Sequence, residues 1–347
     1  MDVHVDRTVL PHGSSASLAC AALGVRLGDL SFEMPALGAT YADYRHARGA
    51  KAGLDAPMFN YYHTDYTRQF TQEKTRENVA GRIVLTQERH RPQLTIIHMA
   101  HQGSLNAAGL RAFYRFQQDM ESPILTTVES DPLQDIGAFR REMGRFEAFE
   151  TDQARAPTIS VRCDPDNFGA KLRYIAQRHD IVNVQWGGYG QNAESWEALS
   201  GTLRGTGIWC NVIGIASRYE TTRGQDARPS SVIPALLYGA HSFSVMRQPF
   251  PRAEGGPGGP GAARESVMAF DPATWCYVPT GLPADVAHAR SFNAVQEALA
   301  SVRPGILDGS FYSRECAGIL GLRVCLARAM GRSPASRDPG QAGIFDH

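Results

Sequence analysis

Eight apolar, β-branched runs recur along the chain at near-even intervals, and their spacing constrains the fold more than any other feature. They occupy residues 31–37, 57–62, 94–99, 124–129, 158–163, 181–186, 209–216 and 242–247, so their starts lie 26, 37, 30, 34, 23, 28 and 33 residues apart. Each interval holds one crossover helix, the condition for pairing consecutive strands in parallel. The runs are apolar nearly throughout, as strands are when both faces are covered. Helical periodicity fills several intervals, over 105–120, 135–149, 168–179, 195–203 and 231–237. Asp166 or Asn167 is the expected cap of the third of these. Eight such units predict an α/β fold, a (β/α)8 TIM-type barrel with a C-terminal helical extension. An open doubly wound sheet is the alternative. Neither GxGxxG nor GxxxxGK[ST] occurs, so dinucleotide and P-loop readings lose their main support.

The same pattern divides the chain. Residues 1–27 read as a lead-in, 28–303 as the barrel, 304–331 as a C-terminal helical segment, and 332–347 as a flexible tail. A Gly/Pro-rich stretch at 254–262 cannot pack a core and is expected as an exposed loop at the barrel mouth. Long helical patterns cover 284–302 and 313–330. With 43% apolar and 20% charged residues the composition is globular. Thirty-five basic side chains balance 35 acidic ones, so total charge drives no binding to nucleic acid or anionic membrane. No apolar run reaches the ~18 residues of a spanning helix. The first ten residues carry Asp2, His4, Asp6 and Arg7 where a signal peptide has a basic start and apolar core. A cytoplasmic protein without a membrane partner is the expectation. The six cysteines (Cys20, Cys163, Cys210, Cys276, Cys316 and Cys325) form no CxxC or CxC pair. Neither a disulfide scaffold, nor a metal site, nor a cofactor is predicted. Oligomeric state stays open.

In a barrel of this kind, chemistry sits where strands end and the following loops begin. Run two ends in Asn60, Tyr62 and His63; run three in His98 and His101; run four in Glu129 and Asp131. Run five leads to Asp164, run six to Gln185, Gly187, Gly188 and Tyr189, run seven to Arg218, and run eight to Ser244 and Arg247. Several have a plain structural reading beside the functional one. Asp164 or Asp166 serves as a helix cap, Asp131 as a turn residue before Pro132, and Gly187-Gly188 as a tight turn or a close approach for a flat ligand. A lone histidine is more often a satisfied structural one. Glu129 stands out, because a carboxylate at the end of an apolar strand needs a partner. Together these carboxylates, imidazoles, amides and aromatics suit a planar, hydrogen-bonding ligand such as a nucleobase, stacked on Tyr62, Trp186 or Tyr189.

The order of motifs resembles the tRNA-guanine transglycosylase superfamily, which includes the phage and bacterial DNA 7-deazaguanine transglycosylases. Met34-Pro35-x-x-Gly38-x-Thr40 is similar to that family's MPVGT segment with one insertion, and Asn60-x-Tyr62-His63 to its NTYH. Gln185-x-Gly187-Gly188 is similar to its glycine-rich base-binding strands, and residues 231–249 to its GVDMFDCVxPTR helix and strand. The resemblance covers residues 30 to 250. The chain departs from the family at three places. Ser244 stands where the nucleophilic aspartate falls, His98-Met-Ala-His101 replaces the DSGGF segment with its acid–base aspartate, and CxCxxC is absent.

What the resemblance implies is base exchange. A carboxylate attacks the anomeric carbon, guanine leaves, and a 7-deazaguanine base displaces the enzyme while a second group carries the proton. The expected catalytic residues are Glu129 and Asp131, with His98 or His101 as proton carrier. Asn60, Tyr62, His63, Asp164, Gln185, Gly187, Gly188, Tyr189, Ser244 and Arg247 are expected to bind substrate. The substrate is expected to be a guanine in DNA, less so tRNA, because the zinc-bearing end of the tRNA enzymes is missing. A barrel enzyme of a small anionic metabolite, held by Arg218 and Arg247, and a catalytically inactive base-binding barrel are the alternatives.

Overall fold

The computed structural model describes residues 3–5, 22–63, 70–99, 107–129, 131–186, 193–203, 206–215, 227–245 and 267–308. Within them the chain is a mixed α/β protein with parallel sheets, as the spacing predicts. None of these helices is long and apolar enough to cross a membrane.

Strands β1 (Val3–Val5), β2 (Leu23–Leu27) and β3 (Leu30–Met34) form an antiparallel sheet that the sequence pattern did not disclose. Gly28 closes the β2–β3 hairpin at φ 61, a conformation open to glycine without a side-chain penalty. Alternation along the hairpin buries Leu23, Val25, Leu27, Phe32 and Met34 on one face and leaves Arg26, Ser31 and Glu33 exposed.

The parallel strands follow. They are β4 (Ala36–Leu37), β5 (Ala39–Thr40), β6 (Met58–His63), β7 (Leu94–Met99), β8 (Ile124–Thr126), β9 (Ala154–Ala156), β10 (Thr158–Ser160), β11 (Ile181–Gln185), β12 (Trp209–Ile215) and β14 (Ser242–Val245). Every apolar run contains a strand among its described residues, although β8 and β10 take only the first three residues of theirs. One run needs correction. The run at 31–37 is divided at Pro35: its first part belongs to the antiparallel hairpin, and the parallel strand is β4 with β5 beyond Gly38. Ladders join β14 to β4, β5 to β6, β6 to β7, β8 to β9, β10 to β11, β11 to β12 and β12 to β14. β7 and β8 share no ladder. The buried Gln117 amide takes the Thr126 N–H at 2.8 Å and donates to its carbonyl at 3.0 Å, occupying both backbone groups as a neighbouring strand would. Side chains bridge this junction, with Thr126 Oγ1 donating to Ile97 O and Ser122 Oγ to Thr95 O.

Eight helices lie among the described residues. They are α1 (Tyr41–Ala50), α2 (Glu73–His90), α3 (Ala107–Asp119), α4 (Ile136–Glu147), α5 (Pro165–Ala176), α6 (Ala193–Leu203), α7 (Val232–Leu237) and α8 (Ala284–Asp308). Local chemistry sets their starts. Thr40 and Asp43 form a capping box on α1, and Asp135 caps α4. Asp164, rather than Asp166 or Asn167, caps α5, because Pro165 is pre-set for the first helical position. The last helix runs through Pro304 to Asp308, beyond the 284–302 pattern. It clasps α1 through two carboxylate–imidazole contacts, Asp43–His288 at 2.7 Å and His46–Asp285 at 2.6 Å, whose imidazoles lie 4.5 Å apart. A second antiparallel sheet, also unforeseen, joins β13 (Arg228–Pro229), β16 (Cys276–Pro279) and β15 (Met268–Asp271). The Gly/Pro-rich stretch, the 313–330 pattern and the tail lie outside the described residues.

Two apolar clusters hold these elements. The larger lies between the parallel strands and the helices. The smaller gathers the first residues of six strands (Met58, Leu94, Ile124, Ala154, Ile181 and Trp209) under the buried face of the β2–β3 hairpin. Phe32, 2% exposed, is the large hairpin side chain in this cluster. Phe32→Ala is expected to destabilise the fold by about 3–5 kcal/mol, the usual cost of emptying a buried phenylalanine site. Urea unfolding of both proteins measures it, and a change under about 1 kcal/mol would remove the hairpin from the core.

Candidate functional site

Side chains on a strand alternate between faces, so residues two apart share one. On β6, Phe59 and Tyr61 pack toward the helices, which leaves Asn60 and Tyr62 on the inner face. The same alternation turns Asn183 and Gln185 of β11, Asn211 of β12, and Ser242 and Ser244 of β14 inward. Register aligns Asn183 with Asn211, Asn211 with Ser242, and Tyr62 with His98.

These positions form a belt of neutral polar groups. Asn60 Oδ1 faces His98 Nε2 at 2.8 Å and Asn211 Nδ2 at 3.3 Å. Asn211 also donates to Asn183 Oδ1, Ser242 donates to Asn211 Oδ1, and the Trp209 indole donates to Ser242 Oγ. Every member is at most 1% exposed. Gly38 allows this packing: a Cβ there would stand 2.2 Å from Asn60 Nδ2. One step toward the strand ends, the Gln185 amide donates to the Tyr62 hydroxyl, joining two strands that share no ladder. Burial pushes the Tyr62 hydroxyl up, against the pull of Gln185. Ser244 is buried at the matching position of β14, beside Ile213.

Burial holds His98 down at about pKa 3 and His241 at about 4, so both imidazoles are neutral in the fold. His241 Nδ1 accepts the Cys210 N–H at 2.9 Å. In the unfolded chain each titrates near 6.5. Below that pH the unfolded chain binds more protons, and stability is lost as the pH falls toward the folded values. His241→Asn keeps the acceptor in Oδ1 and removes the titration. It should flatten the stability–pH slope between about pH 5.5 and 4.5 by about 1.4 kcal/mol per pH unit. Denaturant titrations across that window read the difference, and parallel slopes would contradict it.

Several expected residues take other positions. Glu129 is a buried ion-pair partner: Oε1 receives the Lys171 ammonium at 2.8 Å and Oε2 the Ser160 N–H at 2.7 Å. Lys171 is fully buried on α5, also donates to Pro132 O, and lies 5.7 Å from the Phe139 ring centroid. Desolvation raises the Glu129 pKa to about 7 against the lowering pull of Lys171. Asp131 is exposed and Oδ1 takes the Leu133 N–H, the turn role open to it before Pro132. Asp164 is the α5 cap. Trp186 does not stand ready to stack a base. It follows inward-facing Gln185, so it turns outward and stacks on Trp196 at 3.6 Å in the helix layer. His101, Gly187, Gly188, Tyr189, Arg218 and Arg247 lie outside the described residues, as does the side chain of His63. The structure therefore brings Asn60, Tyr62, His98, Gln185 and Ser244 to one inner face, and sets Glu129, Asp131 and Asp164 beside it.

Asn183, Asn211, Ser242 and Lys171 escaped the sequence reading. The signal for two of them was present, since a single asparagine interrupts the apolar triplets Val182-Asn183-Val184 and Cys210-Asn211-Val212. Lys171 looked like any helical lysine.

A cleft of about 460 Å³ lies at the opposite end of the parallel strands, lined by Glu33, Arg91, Gln296 and Arg303 among others. Its lining shares no residue with the belt. Among the described residues no three His, Cys, Asp or Glu side chains gather to hold a metal ion.

Compared with known proteins, the chain matches no family model and no curated relative.

The Glu129–Lys171 pair gives a further expectation. Removing one partner of a buried pair leaves an unpaired charge, at about 3–5 kcal/mol, whereas removing both is far less harmful. At pH 8, Glu129→Gln and Lys171→Met should each destabilise strongly, and the double variant should recover most of the loss. Additive effects in this cycle would show that the pair is not coupled.

Proposed function

We propose that the parallel strands close into a (β/α)8 barrel whose C-terminal mouth binds a flat base, and that the protein exchanges guanine in DNA for a 7-deazaguanine base. The return of ladders from β14 to β4 supports closure, with side chains bridging the β7–β8 junction. The observation that carries the ligand class is the neutral inner belt. Amides and an imidazole read an uncharged ring edge, while Tyr62 offers a face to stack on.

In this reading Asp131 is the nucleophile, since both oxygens of Glu129 are engaged and one oxygen of Asp131 is not bound to the turn. Attack at the anomeric carbon breaks the bond to guanine, which leaves with a proton from His101, and forms a glycosyl ester. The incoming base then displaces the carboxylate through its ring nitrogen and gives up that nitrogen's proton, with His101 as the carrier.

The engagement of Glu129 favours a second reading, a base-binding barrel without transfer. Incubation of the full chain with labelled 7-cyano-7-deazaguanine and duplex DNA or tRNA separates the two. Label should enter DNA, and Asp131→Asn should reduce its entry by more than about 10⁴-fold, beyond the loss of a helper acid or base. Base binding without incorporation into either nucleic acid would leave the binding barrel. Neither binding nor incorporation would remove both readings.

A further inference from the structure

Helix α8 lays one face along the cleft at the far end of the parallel strands. Gln296, Ala300 and Arg303 follow one another at steps of four and three residues, which places them on one side of a helix, and all three line the cleft. The Leu37 N–H donates to Gln296 Oε1 at 2.8 Å, so the remaining polar atom of that amide is Nε2, a donor. Ala300 has only a methyl group and leaves room between its two neighbours. Arg303 closes the row. Its side chain is 16% exposed, and its Nε is buried without a hydrogen-bond partner. Its one ionic contact among the described residues is Glu33 Oε1, 3.7 Å from Nη1 and too far for a hydrogen bond. The Glu33 side chain is 78% exposed, so water rather than the guanidinium solvates most of it. A guanidinium taken this far out of water calls for closer acceptors. Arg91 and Asp55 add one exposed charge of each sign to the lining, while Phe32, Pro35, Leu54 and Pro57 supply apolar surface.

We propose that this cleft binds a small oxyanion on an apolar body, a carboxylate or a phosphate monoester, with the Arg303 fork taking its oxygens. Gln296 Nε2 is the second donor on the same helix face, and the apolar body lies against Leu54 and Pro57. The planar guanidinium suits both head groups, because each presents two oxygens side by side. Glu33 is an internal competitor for the same cation, weak because its contact is long and wet. The inference does not depend on the base-binding reading, since no residue of this cleft belongs to the inner belt.

The test is calorimetry on the full chain with three probes. Benzoate and phenyl phosphate carry the two head groups on one ring, and inorganic phosphate carries the charge without the ring. At least one aromatic probe should bind with a Kd of about 1 mM or tighter, and the tighter of the two names the head group. Phenyl phosphate should exceed inorganic phosphate by about tenfold, the contribution of a partly buried ring. Arg303→Met should weaken binding about 10- to 100-fold, and Arg303→Lys, which keeps the charge without the fork, should fall between. Glu33→Gln, an exposed change that removes the competitor, should tighten binding about three- to tenfold. No binding of either aromatic probe at about 10 mM, affinity indifferent to Arg303→Met, or affinity unchanged in Glu33→Gln would overturn the site. Equal affinity for phenyl and inorganic phosphate would overturn the apolar body.

Discussion

Buried amides impose the central constraint on this molecule. Asn60, Asn183 and Asn211 are each at most 1% exposed, and an unpaired amide in such a place costs about 1–3 kcal/mol. They are tolerable together because each pairs with the next, Asn60 through its Oδ1, so the strands that carry them must stay in register. A slip by one residue on β11 would turn Asn183 toward the helices and Val184 inward. Much of the parallel sheet is therefore held by polar matching inside as well as by apolar packing outside. Gly38 belongs to the same constraint, since its missing side chain is what lets Asn60 lie where it does.

The outer layer solves a similar problem with charge. Lys171 and Glu129 are both inside, and the ammonium donates to a carboxylate and a carbonyl with the Phe139 ring 5.7 Å away. That pair fastens α5 to the ends of β8 and β10. Elsewhere in the helix layer, the Asp43–His288 and His46–Asp285 pairs fasten α8 to α1. Helix α8 thereby packs beside β4, the first parallel strand, although more than 230 residues separate the partners.

Strand positions were legible in the sequence because a strand covered on both faces is apolar nearly throughout, and such runs stand out at their full length. The hairpins were not. Leu23–Leu27 and Met268–Asp271 alternate over only four or five residues, too few to separate from chance. Among site residues, Asn60, Tyr62, His98 and Gln185 were legible from their place at strand ends. Glu129 was legible as unusual but not as paired, since its partner lies 42 residues away on another element. Trp186 was misassigned because facing depends on register, and the run 181–186 is apolar at both faces. The capping of β8 by Gln117 had no sequence signal, because a helical glutamine ordinarily faces water.

The β2–β3 hairpin has a consequence for how the chain comes into being. Its apolar face leaves the ribosome before its partners do, and several of them, Ile124, Ile181 and Trp209, are made 90 to 180 residues later. During translation at about 5–20 residues per second, that face stays uncovered for many seconds. The first parallel strand waits longer still for β14. Such distant pairings make assembly slow and leave sticky surface open to other chains. For this protein the hazard lies in the interval before the last strand arrives.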